Sequence, residues 1–252
     1  MDETASPDWT AQLAAATAWW RDAGVDCDFA DAPRDWLDAV ETPLAVAASD
    51  APNRREAPPP PPPAPRIGGE RARWPATLAD FAAWWLTEPS LDPASGARRV
   101  LPTGPAGAAL MVLVAEPEAD DREVLLAGPQ GRLLDAMLAA FGLSRAETYL
   151  ASVLTRHTPF PDWAGLAGAG MGEIVARHVA LVAPRRLLIL GNTDVSALVG
   201  HAPAQAAPPS SEFNHEGGSV PLLIAPALEA MLERPARKAV LWTRWLDWTD
   251  SG

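Results

Sequence analysis

Ala108-Ala109-Leu110-Met111-Val112-Leu113-Val114-Ala115 and Arg186-Leu187-Leu188-Ile189-Leu190 decide the fold. Each is a short, continuously apolar run bounded by Gly or Pro. Buried strands of a parallel sheet read this way because both of their faces are covered. Two further runs, Thr148–Leu154 and Val220–Ala225, have the same character.

Helical patterns lie between these runs. Gln130–Phe141 places Leu134, Met137, Leu138 and Phe141 on one stripe and stops at Gly142. Gly172–Val182 ends before Pro184, Asn192 or Thr193 opens a short helix to Val199, and Pro235–Trp245 closes the domain. Upstream, Thr77 caps a helix running to Leu86, with Leu78, Phe81 and Trp85 on one face. His215 falls in a loop, and Gly217-Gly218 forms a turn before the last strand. Strands alternating with helices predict an α/β domain, a three-layer α/β/α arrangement around a four-stranded parallel sheet. Function in such folds is sought just after the strands' carboxyl ends, here after Val114, Leu154, Leu190 and Ala225.

Outward from this core, Pro58 to Pro63 form an unbroken proline run, which takes an extended polyproline conformation and acts as a spacer. Three segments follow: an acidic helical segment over 1–50, a Pro-rich linker over 51–73, and the α/β domain over 74–252. Trp9–Arg21 reads as a helix with Leu13, Thr17 and Trp20 on one face and Trp9 one turn earlier. Trp9, Trp19, Trp20 and Trp36 precede the spacer, where little core is available. They either dock on a protein partner through residues 1–50 or fold back. Trp84, Trp85, Trp242 and Trp245 are expected to pack between the first and last helices of the domain.

The chain has 252 residues, 48% of them hydrophobic, and a formal net charge of -12. Residues 1–65 carry 12 acidic and 4 basic side chains, against 20 and 16 in the remainder. An overall acidic balance is unusual for a chain that grips phosphate, although a local basic face is compatible with it. Cys27 is the only cysteine, so an intrachain disulfide and any multi-cysteine metal or iron–sulfur site are excluded. No signal segment or membrane-length apolar run is present, and a soluble, cytoplasmic protein is expected, without cofactor or metal. His157, His178, His201 and His215 do not make a metal set by spacing. Neither a Gly-x-Ser-x-Gly elbow nor a phosphate-binding Gly-Lys-Ser/Thr loop occurs.

An ordered series of short motifs carries a family resemblance. Val114-Ala115-Glu116-Pro117 ends the first strand, and Gly128-Pro129-Gln130-Gly131-Arg132-Leu133-Leu134-Asp135 opens a helix. Tyr149-Leu150-Ala151-Ser152 lies on the second strand, Leu190-Gly191 ends the third, and Ala225-Pro226-Ala227 ends the last. In order and spacing this series resembles the iron–sulfur (family 4) type of uracil-DNA glycosylase over about residues 77–246. The resemblance implies a glycosylase-like α/β domain of DNA repair or replication.

It also implies a base pocket built from Glu116, Pro117, Leu126, Ser152 and Ala225, with candidate DNA contacts at Asn192, Arg237 and Lys238. Most of the chemistry is replaced. Leu126 stands for a stacking Phe, Ser152 for an Asn that reads the uracil edge, and Ala225 for a catalytic His. Trp85-Leu86-Thr87-Glu88-Pro89, Arg156 and Met171 stand where cluster cysteines would be. Glu118, Asp120, Asp121 and Glu123 add negative charge where flipped DNA would pass. Glu116 alone keeps a carboxylate at the first strand end. It is either a surviving catalytic base or, the favoured reading, a polar residue facing a solvent cleft. The expectation is a degenerate glycosylase-like protein acting through protein or DNA contacts. The alternative is a divergent glycosylase that uses Glu116 on uracil or another deaminated base.

Overall fold

The computed structural model describes residues 8–22, 66–92, 98–191, 193–201 and 211–250. The chain divides into two units, Met1–Pro59 and Pro60–Gly252. In the first, helix α1 spans Trp9–Asp22. Asp8 precedes it, and its carboxylate accepts the Thr10 N–H at 3.1 Å. Trp9, Leu13, Trp19 and Trp20 are exposed. Trp36 and Cys27 lie outside the described residues.

The second unit runs α2 (Leu78–Thr87), β1 (Leu110–Val114), α3 (Pro129–Ala140), β2 (Thr148–Ser152), α4 (Trp163–Gly168) and α5 (Met171–Val182). It continues with β3 (Leu187–Leu190), α6 (Thr193–Leu198), β4 (Ser211–His215), β5 (Gly218–Ala225), α7 (Leu228–Glu233) and α8 (Ala236–Asp250). The strand order is β2-β1-β3-β5-β4. Four strands are parallel, with registers such as Val114↔Ser152, Val114↔Leu190 and Leu190↔Ala225.

The expected four-stranded parallel sheet is therefore a five-stranded mixed sheet, because β4 pairs antiparallel with β5 through Phe213↔Val220. Its Ser-Glu-Phe-Asn-His sequence escapes recognition because Phe213 is its only buried residue, and an edge strand needs no apolar run. The turn expected at Gly217-Gly218 falls at Glu216-Gly217, since Gly218 opens β5, and what precedes it is a strand containing His215 rather than a loop. The short helices α4 and α7 also lack the length that makes a helical period legible.

Strand alternation sends Met111, Leu113, Leu187 and Ile189 to one core and Leu110, Val112, Leu188 and Leu190 to the other. Phe81 and Trp85 of α2 pack in the first core with Val175 and Val179 of α5, whereas Leu134 and Leu138 of α3 pack in the second with Leu241, Trp245 and Trp248 of α8. The tryptophans of the first and last helices thus lie on opposite faces of the sheet, correcting the expectation that they pack together. Trp242 is 41% exposed and stacks on Phe141 with ring centroids 6.0 Å apart.

Thr77 caps α2 as predicted, accepting the Asp80 N–H at 3.1 Å. Gly142, at φ 73°, closes α3, and the Leu143 N–H reaches the Leu138 carbonyl at 2.9 Å. In the first core, His178 shares a 3.0 Å hydrogen bond with the Tyr149 hydroxyl and stacks on Phe81. Burial lowers the His178 imidazole to about 3 and raises the Tyr149 phenol above its ordinary range, so both rings are neutral. Within the segment read as linker, Ile67 packs against this core, and its N–H bonds the Ala169 carbonyl at 2.9 Å. Among the described residues no helix is long and apolar enough to cross a membrane.

Candidate functional site: the crevice at the strand ends

In the order β2-β1-β3-β5-β4, the connections leaving the carboxyl ends of the neighbouring strands β1 and β3 run to opposite sides and open a crevice between them. Its volume is about 460 Å³. Glu116 and Pro117 after β1, Leu190 at the end of β3, Ala227 and Leu228 after β5, and Gly128–Gln130 at the start of α3 line it.

Among the described residues, Glu116 is the one polar residue predicted for the site that faces this space. Its carboxylate accepts the Thr158 N–H at 2.6 Å and lies 3.3 Å from Nδ1 of His157. His157 lines the same crevice. The spacing of histidines along the chain gives no hint of this pair. The signal that could have found it is topological: neighbouring parallel strands in the register Val114↔Ser152 bring the segments after both strands together.

The remaining base-pocket positions are occupied differently. Pro117 is buried at the crevice wall. Ser152 is 3% exposed, and its hydroxyl donates to the Leu154 carbonyl at 2.7 Å. Ala225 is fully buried in the sheet core, and its carbonyl accepts the Gly191 N–H at 3.1 Å. Leu126 is 1% exposed and packs in the second core. None of Leu126, Ser152 and Ala225 lines the crevice. Asn192 lies outside the described residues. Arg237 and Lys238 sit half-buried in the first turn of α8, away from the crevice wall, and Lys238 borders a groove between α3 and α8.

The acidic stretch after Pro117 is partly structural. Glu118 accepts the N–H groups of Gly128, Gln130 and Gly131 at 3.0, 3.1 and 3.0 Å, filling the amino-terminal end of α3 with a carboxylate of the chain's own. Asp121, 6% exposed, accepts the N–H groups of Glu118, Leu126 and Ala127 at 2.9, 2.7 and 2.9 Å. These bonds hold Leu126 at φ 57°, a left-handed conformation unfavourable for leucine. Arg145 adds a 2.9 Å bond to the Leu126 carbonyl. Gly131 has no Cβ because one would sit 1.8 Å from that carbonyl oxygen. Only part of the stretch therefore projects charge: Asp120 and Glu229 line the crevice beside Glu116 and Glu118, and Glu123 faces Arg98 at 3.8 Å. Among the described residues no Arg or Lys lines it.

At the positions the resemblance equates with cluster cysteines, Trp85 and Met171 are core residues, and Arg156 forms an ion pair with Asp92. Arg156 Nη2 donates to Asp92 Oδ1 at 3.2 Å. The pair borders a second cavity of about 510 Å³, whose lining includes Leu91, Leu154 and Leu166. Among the described residues no group of three His, Cys, Asp or Glu side chains could hold a metal ion.

No protein-family model matches the sequence, and no curated protein is significantly similar to it.

Proposed function

We propose that residues 74–252 form a uracil-DNA glycosylase-type three-layer module that has lost base excision and serves DNA repair or replication through contacts with a protein or with DNA. One observation carries the loss of excision: the side chains at 152 and 225 do not reach the crevice. The Ser152 hydroxyl is committed to the Leu154 carbonyl, and Ala225 offers only a buried methyl. A flipped base needs edge-reading donors and acceptors, and its departure as an anion needs a stabilising group. The carboxylate-lined wall, with Asp120 and Glu229 beside Glu116, adds repulsion against a phosphate backbone.

The contact surface for a protein partner is α1, whose Trp9, Leu13 and Trp20 are exposed and lie within an acidic segment. Aromatic anchors of this kind dominate helix-in-groove binding.

Incubating the full chain with uracil-, hypoxanthine- and xanthine-containing DNA tests the reading, and no free base is expected. The alternative, a divergent glycosylase, draws on the Glu116–His157 pair. Base release abolished by Glu116→Gln would establish it instead.

A further inference from the structure

The geometry points to a hydrolytic centre in the crevice, in which His157 acts as a general base toward water on small esters that are neutral or cationic. This goes beyond the proposed module: it concerns small molecules rather than DNA, and either can fail alone.

Three features converge on one space. Glu116 Oε1 lies 3.3 Å from His157 Nδ1, and Thr158 N–H fixes the other oxygen of that carboxylate at 2.6 Å. A carboxylate beside Nδ1 holds the ring proton there and leaves Nε2 as the basic nitrogen. No described residue bonds His157 Nε2. Gln130 lines the same wall with no described partner for its side-chain amide, so it can donate to a carbonyl oxygen that is gaining charge. A base, the group that orients it, a donor and a concave space together form an acyl-hydrolysis constellation.

The nucleophile follows from the lining. Among the described residues that line the crevice there is no Ser, Thr or Cys, so water attacks. His157 Nε2 takes one proton from that water as its oxygen bonds the ester carbonyl carbon. The carbonyl electron pair moves onto oxygen, facing the Gln130 amide. Collapse breaks the bond to the alkoxide, which leaves with the proton from Nε2. The products are one acid and one alcohol, and Glu116 stays a carboxylate throughout, stabilising the transient imidazolium.

Substrate class follows from charge. Glu116, Glu118, Asp120 and Glu229 face or border the space, and among the described residues no Arg or Lys lines it. Anionic acyl groups are repelled, while ammonium-bearing ones are attracted. The volume of about 460 Å³ suits a small molecule.

The test uses the full chain and three 4-nitrophenyl esters whose acyl chains are neutral, ammonium-bearing and carboxylate-bearing. Turnover should exceed that of free imidazole at equal concentration, with the carboxylate ester about tenfold slower than the ammonium ester. His157→Gln should lower kcat by about 100-fold. Glu116→Gln should lower kcat by about 10-fold with little change in KM, and Glu116→Asp should recover part of the loss. His201→Gln and His215→Gln, outside the crevice, should hydrolyse normally. Turnover no better than free imidazole overturns the proposal, as does His157→Gln working at the unmodified rate. A preference for the anionic ester also counts against it, and that measurement needs no variant to fold.

Discussion

Asp121 accepts the backbone N–H of Leu126 at 2.7 Å and so holds a leucine at φ 57°. The same carboxylate accepts the neighbouring N–H groups of Ala127 and Glu118. The loop between β1 and α3 is therefore a pinned turn that forms one wall of the crevice, and Glu118 and Asp121 within it are parts of its scaffold.

Asp121→Ala removes the acceptor of three N–H groups at once and leaves that of the buried Leu126 unpaired. It should destabilise the domain by about 2–4 kcal/mol. Urea unfolding followed by tryptophan fluorescence measures this, and Asp120→Ala, an exposed neighbour, should change the midpoint little. A loss in Asp121→Ala no larger than that of Asp120→Ala would show that the loop is not held in this way.

Gly131→Ala would place a Cβ 1.8 Å from the Leu126 carbonyl oxygen, which the pinned loop cannot yield. A loss of several kcal/mol, or failure to fold, is expected. Gly142→Ala meets no atom within 4 Å and strains only its left-handed φ, so its cost should stay near about 1 kcal/mol.

The Ser152→Asn and Ala225→His pair restores the side chains that the family resemblance implies. Both positions are almost fully buried, so each larger side chain overpacks the sheet, at about 1–3 kcal/mol apiece. No uracil release is expected from the double variant in a glycosylase assay, because neither site opens on the crevice. Release would mean that identity at these two positions, and not access, had silenced the domain.

His178 gives the stability a pH dependence. Its folded-state value is about 3, below the ordinary 6.5 of the unfolded chain, so the unfolded state binds the extra proton between these limits. Its contribution is fully present above about pH 6.5 and is lost progressively as pH falls toward 3. Urea midpoints at pH 5 and pH 7.5 should differ in the unmodified protein. They should differ less in His178→Gln, which cannot titrate. Equal differences in both proteins would exclude His178 as the source.

Arg156 and Asp92 join the end of β2 to the segment after α2. Both are largely shielded from solvent, so a double-mutant cycle with Arg156→Met and Asp92→Asn should give a coupling of about 1–3 kcal/mol. Additive losses would show that the pair does not bind these segments together.

The apolar runs at 110–114, 148–152, 187–190 and 220–225 determine the parallel part of the sheet by themselves, as do caps such as Thr77 and breaks such as Gly142 and Pro184. These signals are local, since burial of both strand faces writes itself as consecutive apolar residues. The edge strand 211–215 left no such trace, because pairing on one side only demands little of its sequence. Polar partnerships were illegible for a different reason. Glu118 and Asp121 read as charges facing solvent, yet they bind backbone N–H groups up to thirteen residues away. Glu116 finds Thr158 across 42 residues, and Arg156 finds Asp92 across 64. A carboxylate has no periodicity that announces its donor. Only the closing of the chain decides which loops meet, and with them whether an acid braces a turn or faces the crevice beside a histidine.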